Sequence, residues 1–153
     1  MDNPGTTVIL HGMDRTDVIL IGGGLNGSAL ALALAQAGLR VALIDRLDEA
    51  TLADPTFDGR SYALAHASCR LLRALGLWPE LEETAQPILD IKVTDGRPGE
   101  GPSAFVLEFD HAEIDEGPMG WMVEDRHLRR AFLSAMAGDD RITRITGTVI
   151  DHS

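Results

Sequence analysis

Val18-Ile19-Leu20-Ile21-Gly22-Gly23-Gly24-Leu25-Asn26-Gly27 opens a segment, VILIGGGLNGSALALALAQAGLRVALID, that ends at Asp45 and decides the fold. A β-branched apolar run meets the spacing Gly22-x-Gly24-x-x-Gly27. A helical stretch follows as far as Gly38, then a second apolar strand, Val41 to Ile44, with an acid at its end. This is the dinucleotide-binding βαβ pattern in its full context. Gly22 lets the chain turn out of the strand. Gly24 lets a pyrophosphate approach the backbone. Gly27 lets the helix pack on the sheet. The amides of Leu25, Asn26 and Gly27 and the positive end of the helix face the phosphates. Asp45, 18 residues beyond Gly27, stands where a carboxylate accepts hydrogen bonds from the adenosine ribose. A glycine-rich turn in some other α/β unit leaves that acid unexplained.

Val18 to Leu39 carries no charge and has the length of a membrane span, but five glycines, Asn26 and Gln36 interrupt it. The alternation from Ala29 to Ala35 has the period of a strand. Ala and Leu are strong helix formers without β-branching, so it is read as helix.

The remaining composition sets bounds. A length of 153 residues and 44% apolar content suit one soluble domain with a real core. A net charge of −11 argues against a nucleic-acid partner, which needs basic surface, and disfavours broad docking on anionic lipid. Cys69 is the single cysteine, which excludes an intrachain disulfide and points to the cytoplasm. It is expected as a small buried helix residue. His11, His66, His111, His127 and His152 form no metal-ligand motif, so no metal site is inferred. Residues 1–16 read as a flexible leader, with Met13 as an alternative natural start. No secretory signal is seen.

After Asp45 the chain reads as a polar loop to Gly59, then a helix from about Ser61 with apolar residues at 64, 67, 71, 72 and 75, ended by Gly76. Pro79 opens a further helical turn between Trp78 and Glu83. Period-two patterns at 88–95 and 103–109 predict an antiparallel hairpin outside the βαβ series. Gly120 to Val123 predicts a strand. Asp125 then caps a helix whose face carries Leu128, Ala131, Phe132, Ala135 and Met136, and Ile142 to Ile150 returns to strand. The fold class is therefore α/β: a Rossmann-like βαβ sheet with the start of a second, antiparallel sheet. The domain division is 17–86 for the nucleotide-binding part, 87–118 for the hairpin and 119–153 for a return to the first part.

Four segments acting together carry a resemblance. They are the opening fingerprint, Asp58-Gly59-Arg60-Ser61-Tyr62-Ala63-Leu64, Leu75-Gly76-Leu77-Trp78, and the run from Met122 to Arg130 (MVEDRHLRR). From about Asp17 to Val149 the chain resembles the ubiquinone-biosynthesis hydroxylases. These are flavin-dependent aromatic monooxygenases of the para-hydroxybenzoate hydroxylase group, and the likeness is greatest to the 2-polyprenyl-6-methoxyphenol hydroxylase type. The resemblance implies FAD as the dinucleotide and NAD(P)H as electron donor. It implies O₂ and a polyprenyl phenol as substrates, and peripheral work at the inner membrane face.

The resemblance also implies that Arg60 meets the FAD pyrophosphate, where a guanidinium fork suits phosphate oxygens. The alternative for Arg60 is a solvated loop arginine. Arg46 either lies over the adenine or points into water. Arg126 either touches the flavin or shares a solvated helix face with Arg129 and Arg130. The family places Asn where Asp125 stands, so a direct role for Asp125 beside the phosphates is not carried over; an N-cap accounts for it equally well. The cofactor set is thus Gly22, Gly24, Leu25, Asn26, Gly27, Asp45, Arg46, Arg60 and Arg126. No catalytic residue is assigned.

A Gly-Asp motif that forms a second FAD contact in the family has no counterpart after residue 88, so the sequence reads as an N-terminal fragment or truncated product, inactive alone. Its incomplete hairpin edges favour self-association. Two other classes remain open: an NAD(P)-dependent dehydrogenase or other flavin reductase, and a non-catalytic protein that binds a nucleotide or a partner.

Overall fold

The computed structural model describes residues 16–56, 58–99, 101–113 and 117–148. The expected leader, except Thr16, and the end of the last strand lie outside the described residues. In chain order the elements are β1 (Val18–Ile21), α1 (Leu25–Gln36), β2 (Val41–Asp45), α2 (Glu49–Leu52), β3 (Ser61–Ala65), α3 (His66–Ala74) and α4 (Trp78–Leu81). There follow β4 (Gln86–Ile88), β5 (Asp90–Arg97), β6 (Gly101–Asp110), a 3-10 turn at His111–Glu113, β7 (Gly120–Glu124), α5 (Asp125–Ala137) and β8 (Ile142–Thr146). Two compact units result: the first takes the described residues of 1–56 and 128–153, the second those of 57–127.

In the first unit a parallel sheet has the order β1-β2-β8. Val18 pairs with Val41 and Ile21 with Ile44 on one side of β2, and Val41 pairs with Ile142 on the other. β2 is the middle strand, which explains why Val41, Ala42 and Leu43 are buried in succession rather than alternately. The alanine–leucine string folds as the helix α1, and its buried face is Ser28, Ala31, Leu32 and Ala35, the 3.6-residue period hidden beneath an apparent period of two. Leu128, Ala131, Phe132 and Met136 of α5 complete this unit's core. β1 pairs with β2 alone among the described strands, and its Ile19 and Ile21 are exposed.

In the second unit an antiparallel sheet has the order β3-β7-β4, and β5 and β6 form a separate two-stranded ribbon. The helix expected from Ser61 begins instead at His66. Ser61 to Ala65 pair residue by residue with Glu124 to Gly120, and Tyr62 and Leu64 alternate with exposed neighbours. Leu64 shares the helical spacing of the residues after it by coincidence, and strand pairing decides its conformation. Ile88 likewise leaves the expected hairpin and pairs with Gly120 through β4. The loop after Asp45 contains one helical turn, α2, capped by the Asp48 carboxylate, which accepts from the Thr51 amide at 2.8 Å.

α3 ends as expected at Gly76, with the Schellman pair Gly76 N–H to Arg73 O and Leu77 N–H to Leu72 O. Cys69 is fully buried in α3, and burial pushes its thiol pKa up, as suits an inert core residue. Leu72, Leu75, Leu77, Trp78, Leu81 and Val123 are buried in the same unit. Trp78 packs edge-on to Trp121 at 5.3 Å, with Arg73 over its ring at 4.4 Å.

β7 approaches β3 closely because residue 120 has no side chain: a Cβ there would lie 2.5 Å from the Leu64 carbonyl oxygen. Gly120→Ala is expected to lower stability by about 2–3 kcal/mol, read as a reduced urea midpoint. An unchanged midpoint would contradict this pairing.

Candidate cofactor site

The site begins where β1 ends. Gly22 has φ of +101°, a backbone turn that residues with a Cβ rarely make, and its amide donates to the Ile44 carbonyl at 2.8 Å. The turn leads at once into α1. The Ser28 amide makes the helix bond to Gly24 O at 2.9 Å, so the amides of Leu25, Asn26 and Gly27 precede the helical ladder. No side chain caps this end, and no acidic residue stands in the first turn. A Cβ on Gly24 would meet nothing within 4 Å. A Cβ on Gly27, by contrast, would run into the Gly22 carbonyl oxygen and carbon, so the bare helix end is seated directly on the strand's exit. Ser28 locks the turn by donating from Oγ to Gly23 O at 3.0 Å.

Asp45 closes the other side. Its Oδ2 accepts from the Gly23 amide at 2.5 Å and its Oδ1 from the Leu47 amide at 2.8 Å. An ionised carboxylate offers about four acceptor directions, so both oxygens keep capacity for ribose hydroxyls. Beside it opens a cleft of about 230 Å³ lined by Gly22, Ile44, Asp45, Arg46, Gly147 and Thr148 among others. Gly147 is held there by its amide, which donates to Asp45 O at 2.8 Å. Arg129 Nη1 donates to the Leu52 carbonyl at 3.2 Å and Arg144 pairs with Glu49 at 3.1 Å, which ties the 49–52 turn to α5 and β8.

Of the residues expected from sequence, Gly22, Gly24, Leu25, Asn26, Gly27, Asp45 and Arg46 come together in the first unit. Arg60 and Arg126 belong to the second. Arg60 donates from Nε and Nη2 to Asp58 Oδ2 at 2.8 and 2.5 Å, and Nη2 lies 2.9 Å from Asp125 Oδ2. Asp58 first, and then Asp125, raise the pKa of this guanidinium. Arg126 donates from Nε to Glu124 at 2.6 Å, and His127 Nε2 lies 3.5 Å from the same carboxylate. Asp125 is buried in the first turn of α5. Sequence reasoning missed Gly23 and Ser28 as parts of the turn, Gly147 and Thr148 as cleft residues, and the acids Asp58 and Glu124. Asp58 had a visible signal, its place two residues before Arg60; Gly147 and Thr148 had none.

Asp90, Asp110 and His111 also converge, with ligand atoms within 4.8 Å of one another, at the base of the ribbon. The imidazole there is engaged by the Leu89 carbonyl oxygen and by Asp110, both at 3.2 Å.

The first-unit cradle fits a dinucleotide. It offers free-facing amides at the positive end of a helix of 12 residues, an open approach at Gly24, and an acid fixed beside the bend. Residues 15–127 match the family model described as an FAD binding domain. The chain belongs to that family, and FAD is accordingly its cofactor. The ubiquinone hydroxylase UbiL of Rhodospirillum rubrum is 47% identical over 120 residues, which cover 78% of this chain and 27% of that protein. The 3-demethoxyubiquinol 3-hydroxylase of Escherichia coli is 34% identical over 138 residues, 88% of this chain and 34% of the relative. Among solved structures, p-nitrophenol 4-monooxygenase PnpA of Pseudomonas putida superposes with a TM-score of 0.65 at 20% identity, over 90% of this chain and 33% of that one. PqsL of Pseudomonas aeruginosa, a probable FAD-dependent monooxygenase, gives 0.63 at 21% identity, over 85% and 32%. These two show the α/β fold with its parallel and antiparallel sheets. The chain spans about a third or less of each relative's length. Among the described residues no helix is long and apolar enough to cross a membrane.

Proposed function

We propose that this chain is the FAD-binding portion of a flavin-dependent aromatic monooxygenase that hydroxylates a polyprenyl phenol in ubiquinone biosynthesis. The observation that carries the reading is the uncapped start of α1, seated on Gly27 beside the fixed Asp45 carboxylate, in a chain of the FAD binding domain family. The names of the two hydroxylase relatives, one of ubiquinone and one of 3-demethoxyubiquinol, support the substrate class.

In this reading the amides of Leu25, Asn26 and Gly27 hold the diphosphate, with Gly22 and Gly24 shaping the approach. Asp45 holds the ribose and Arg46 flanks the adenosine in its cleft. Arg60 supplies a cation to the diphosphate and Arg126 lies toward the flavin. When bound, FAD takes electrons from NAD(P)H and activates O₂ for oxygen transfer to a phenol ring, while protein supplies orientation and excludes water. Residues 17–86 and 119–153 serve the cofactor, and 87–118, which carry the β5–β6 ribbon, begin a substrate domain. The ribbon β5–β6 leaves Val93, Phe105, Val106, Leu107 and Phe109 exposed, a surface that favours self-association of the isolated chain. With a polyprenyl substrate, the whole protein would work from the cytoplasm, peripheral at the inner membrane.

Titration of the chain with FAD, ADP, NAD and NADP tests the reading. FAD and ADP are expected to bind and NADP to be rejected, because Asp45 would face the 2′-phosphate. Tight NAD binding would favour a dehydrogenase instead, and no binding at all would favour a non-catalytic protein.

A further inference from the structure

α2 has four residues, too few to hold a helical turn on their own. Its conformation depends on tethers, all within the first unit. Asp48 caps its start, the Leu52 carbonyl at its end accepts from Arg129 Nη1 at 3.2 Å, and the Glu49 carboxylate meets Arg144 Nη1 at 3.1 Å. The Arg144 side chain is 20% exposed and that of Glu49 66%. A guanidinium so withdrawn from water needs an anion. Arg144 stands opposite Leu43 in the register of β8 with β2, so it is the anchored end of the pair and Glu49 the held end.

The turn starts directly after the residue that braces the ribose acid. Leu47, whose amide donates to Asp45 Oδ1 at 2.8 Å, precedes the capping Asp48. Gly23 holds Oδ2 of the same carboxylate. The two braces differ in footing. Gly23 lies in the bend against which α1 is seated, whereas Leu47 is exposed at the start of a loop. A side-chain bond to the amide two residues on opens and closes freely unless its loop is anchored. A narrow crevice of about 20 Å³ is lined by Gly23, Asp45, Leu47, Leu52 and Arg144 among others, so the acid, its brace and the anchoring cation border one space.

We propose that Arg144 is a positioning residue for the nucleotide's sugar: it holds α2 through Glu49, and α2 keeps the Leu47 amide on Asp45, so the carboxylate presents its remaining acceptor directions to the ribose in one orientation. This rests on the reading that Asp45 holds the ribose. The diphosphate amides of Leu25, Asn26 and Gly27 are braced separately, through Gly22, Gly27 and Ser28. Loss of the Arg144–Glu49 pair therefore falls on the sugar and spares the diphosphate.

The test is titration of the 153-residue chain with adenosine and with inorganic pyrophosphate, together with hydrogen exchange of the Leu47 amide in the free chain. ADP replaces adenosine if adenosine alone binds too weakly to titrate. Glu49→Ala removes the pair at its exposed end and leaves the crevice lining in place. It is expected to weaken adenosine binding about 3- to 5-fold, the scale of a partly exposed ion pair, and to speed exchange of the Leu47 amide by a similar factor. Pyrophosphate affinity should not change at about 0.15 M salt, where exposed charges are largely screened. Arg144→Met should act in the same direction as Glu49→Ala, although the two change the charge oppositely; a direct electrostatic effect would move them apart. Arg144→Lys, which keeps the ion pair, should bind adenosine as wild type does. The double variant Glu49→Ala, Arg144→Met should be no weaker than either single one, because both remove one linkage. Adenosine affinity that is unchanged or tighter in Glu49→Ala, or a loss shared equally by pyrophosphate, overturns the proposal if Asp45→Ala still weakens adenosine binding. Adenosine binding indifferent to Asp45→Ala overturns the reading of Asp45 beneath it.

Discussion

Gly27→Ala should lower stability by about 3 kcal/mol or more and remove detectable cofactor binding. The added methyl meets backbone, the Gly22 carbonyl, which cannot rotate away as a flexible side chain would. Either α1 lifts off the exit of β1 or the Gly22 turn opens. Both movements misdirect the amides of Leu25, Asn26 and Gly27 and strain the contact of Leu32 and Ala35 with the core. Loss of two or more hydrogen bonds to a charged group, each worth about 1.5–3 kcal/mol, weakens binding by about 100-fold or more. Urea unfolding and ADP titration read the two effects. A variant with wild-type midpoint and wild-type affinity would contradict the close seating of the helix. Gly24→Ala is the informative contrast, since a Cβ there meets nothing in the chain. It should fold normally and lose affinity only because the methyl occupies the ligand's approach.

Asp45→Ala should weaken ADP binding by about 100-fold, from two hydrogen bonds between ribose hydroxyls and a charged acceptor. It also frees the Gly23 and Leu47 amides that the carboxylate now holds, so the bend loses its brace as well as its ligand contact. The preference between ADP and its 2′-phosphorylated form should shift toward the latter, because the carboxylate no longer repels the extra phosphate. Asp45→Asn separates the two roles, since an amide oxygen can still accept from Gly23 but carries no charge. Equal affinity of wild type and Asp45→Ala for ADP would place the ribose elsewhere.

The parallel sheet and its glycine bend were legible because their signals are local. Strand, glycine spacing, helix and acid stand within Val18–Asp45, and each has a steric or electrostatic reason independent of distant residues. The hairpin was legible from its period of two, and Gly76 from the apolar spacing that stops before it. What escaped were features set by pairing partners far along the chain. Ser61 to Ala65 became a strand because Gly120 to Glu124 lie beside them, and Ile88 left the hairpin for the same reason. The ion pair of Arg60 with Asp125 spans those paired strands and has no signature in spacing. Gly147 and Thr148 enter the cleft because β8 pairs with β2, a long-range register that periodicity does not carry. Arg46 has two roles open to it on sequence, and the fold places it among the residues that line the cleft beside Asp45.

Amide chemical shifts of the isotopically labelled chain, followed as ADP is added, test the central claim most directly. The account predicts saturable changes concentrated at Gly23 to Gly27, with Asp45 to Leu47 and Gly147 moving at the same midpoint. Saturable binding that leaves the amides of Leu25, Asn26 and Gly27 unmoved would contradict it.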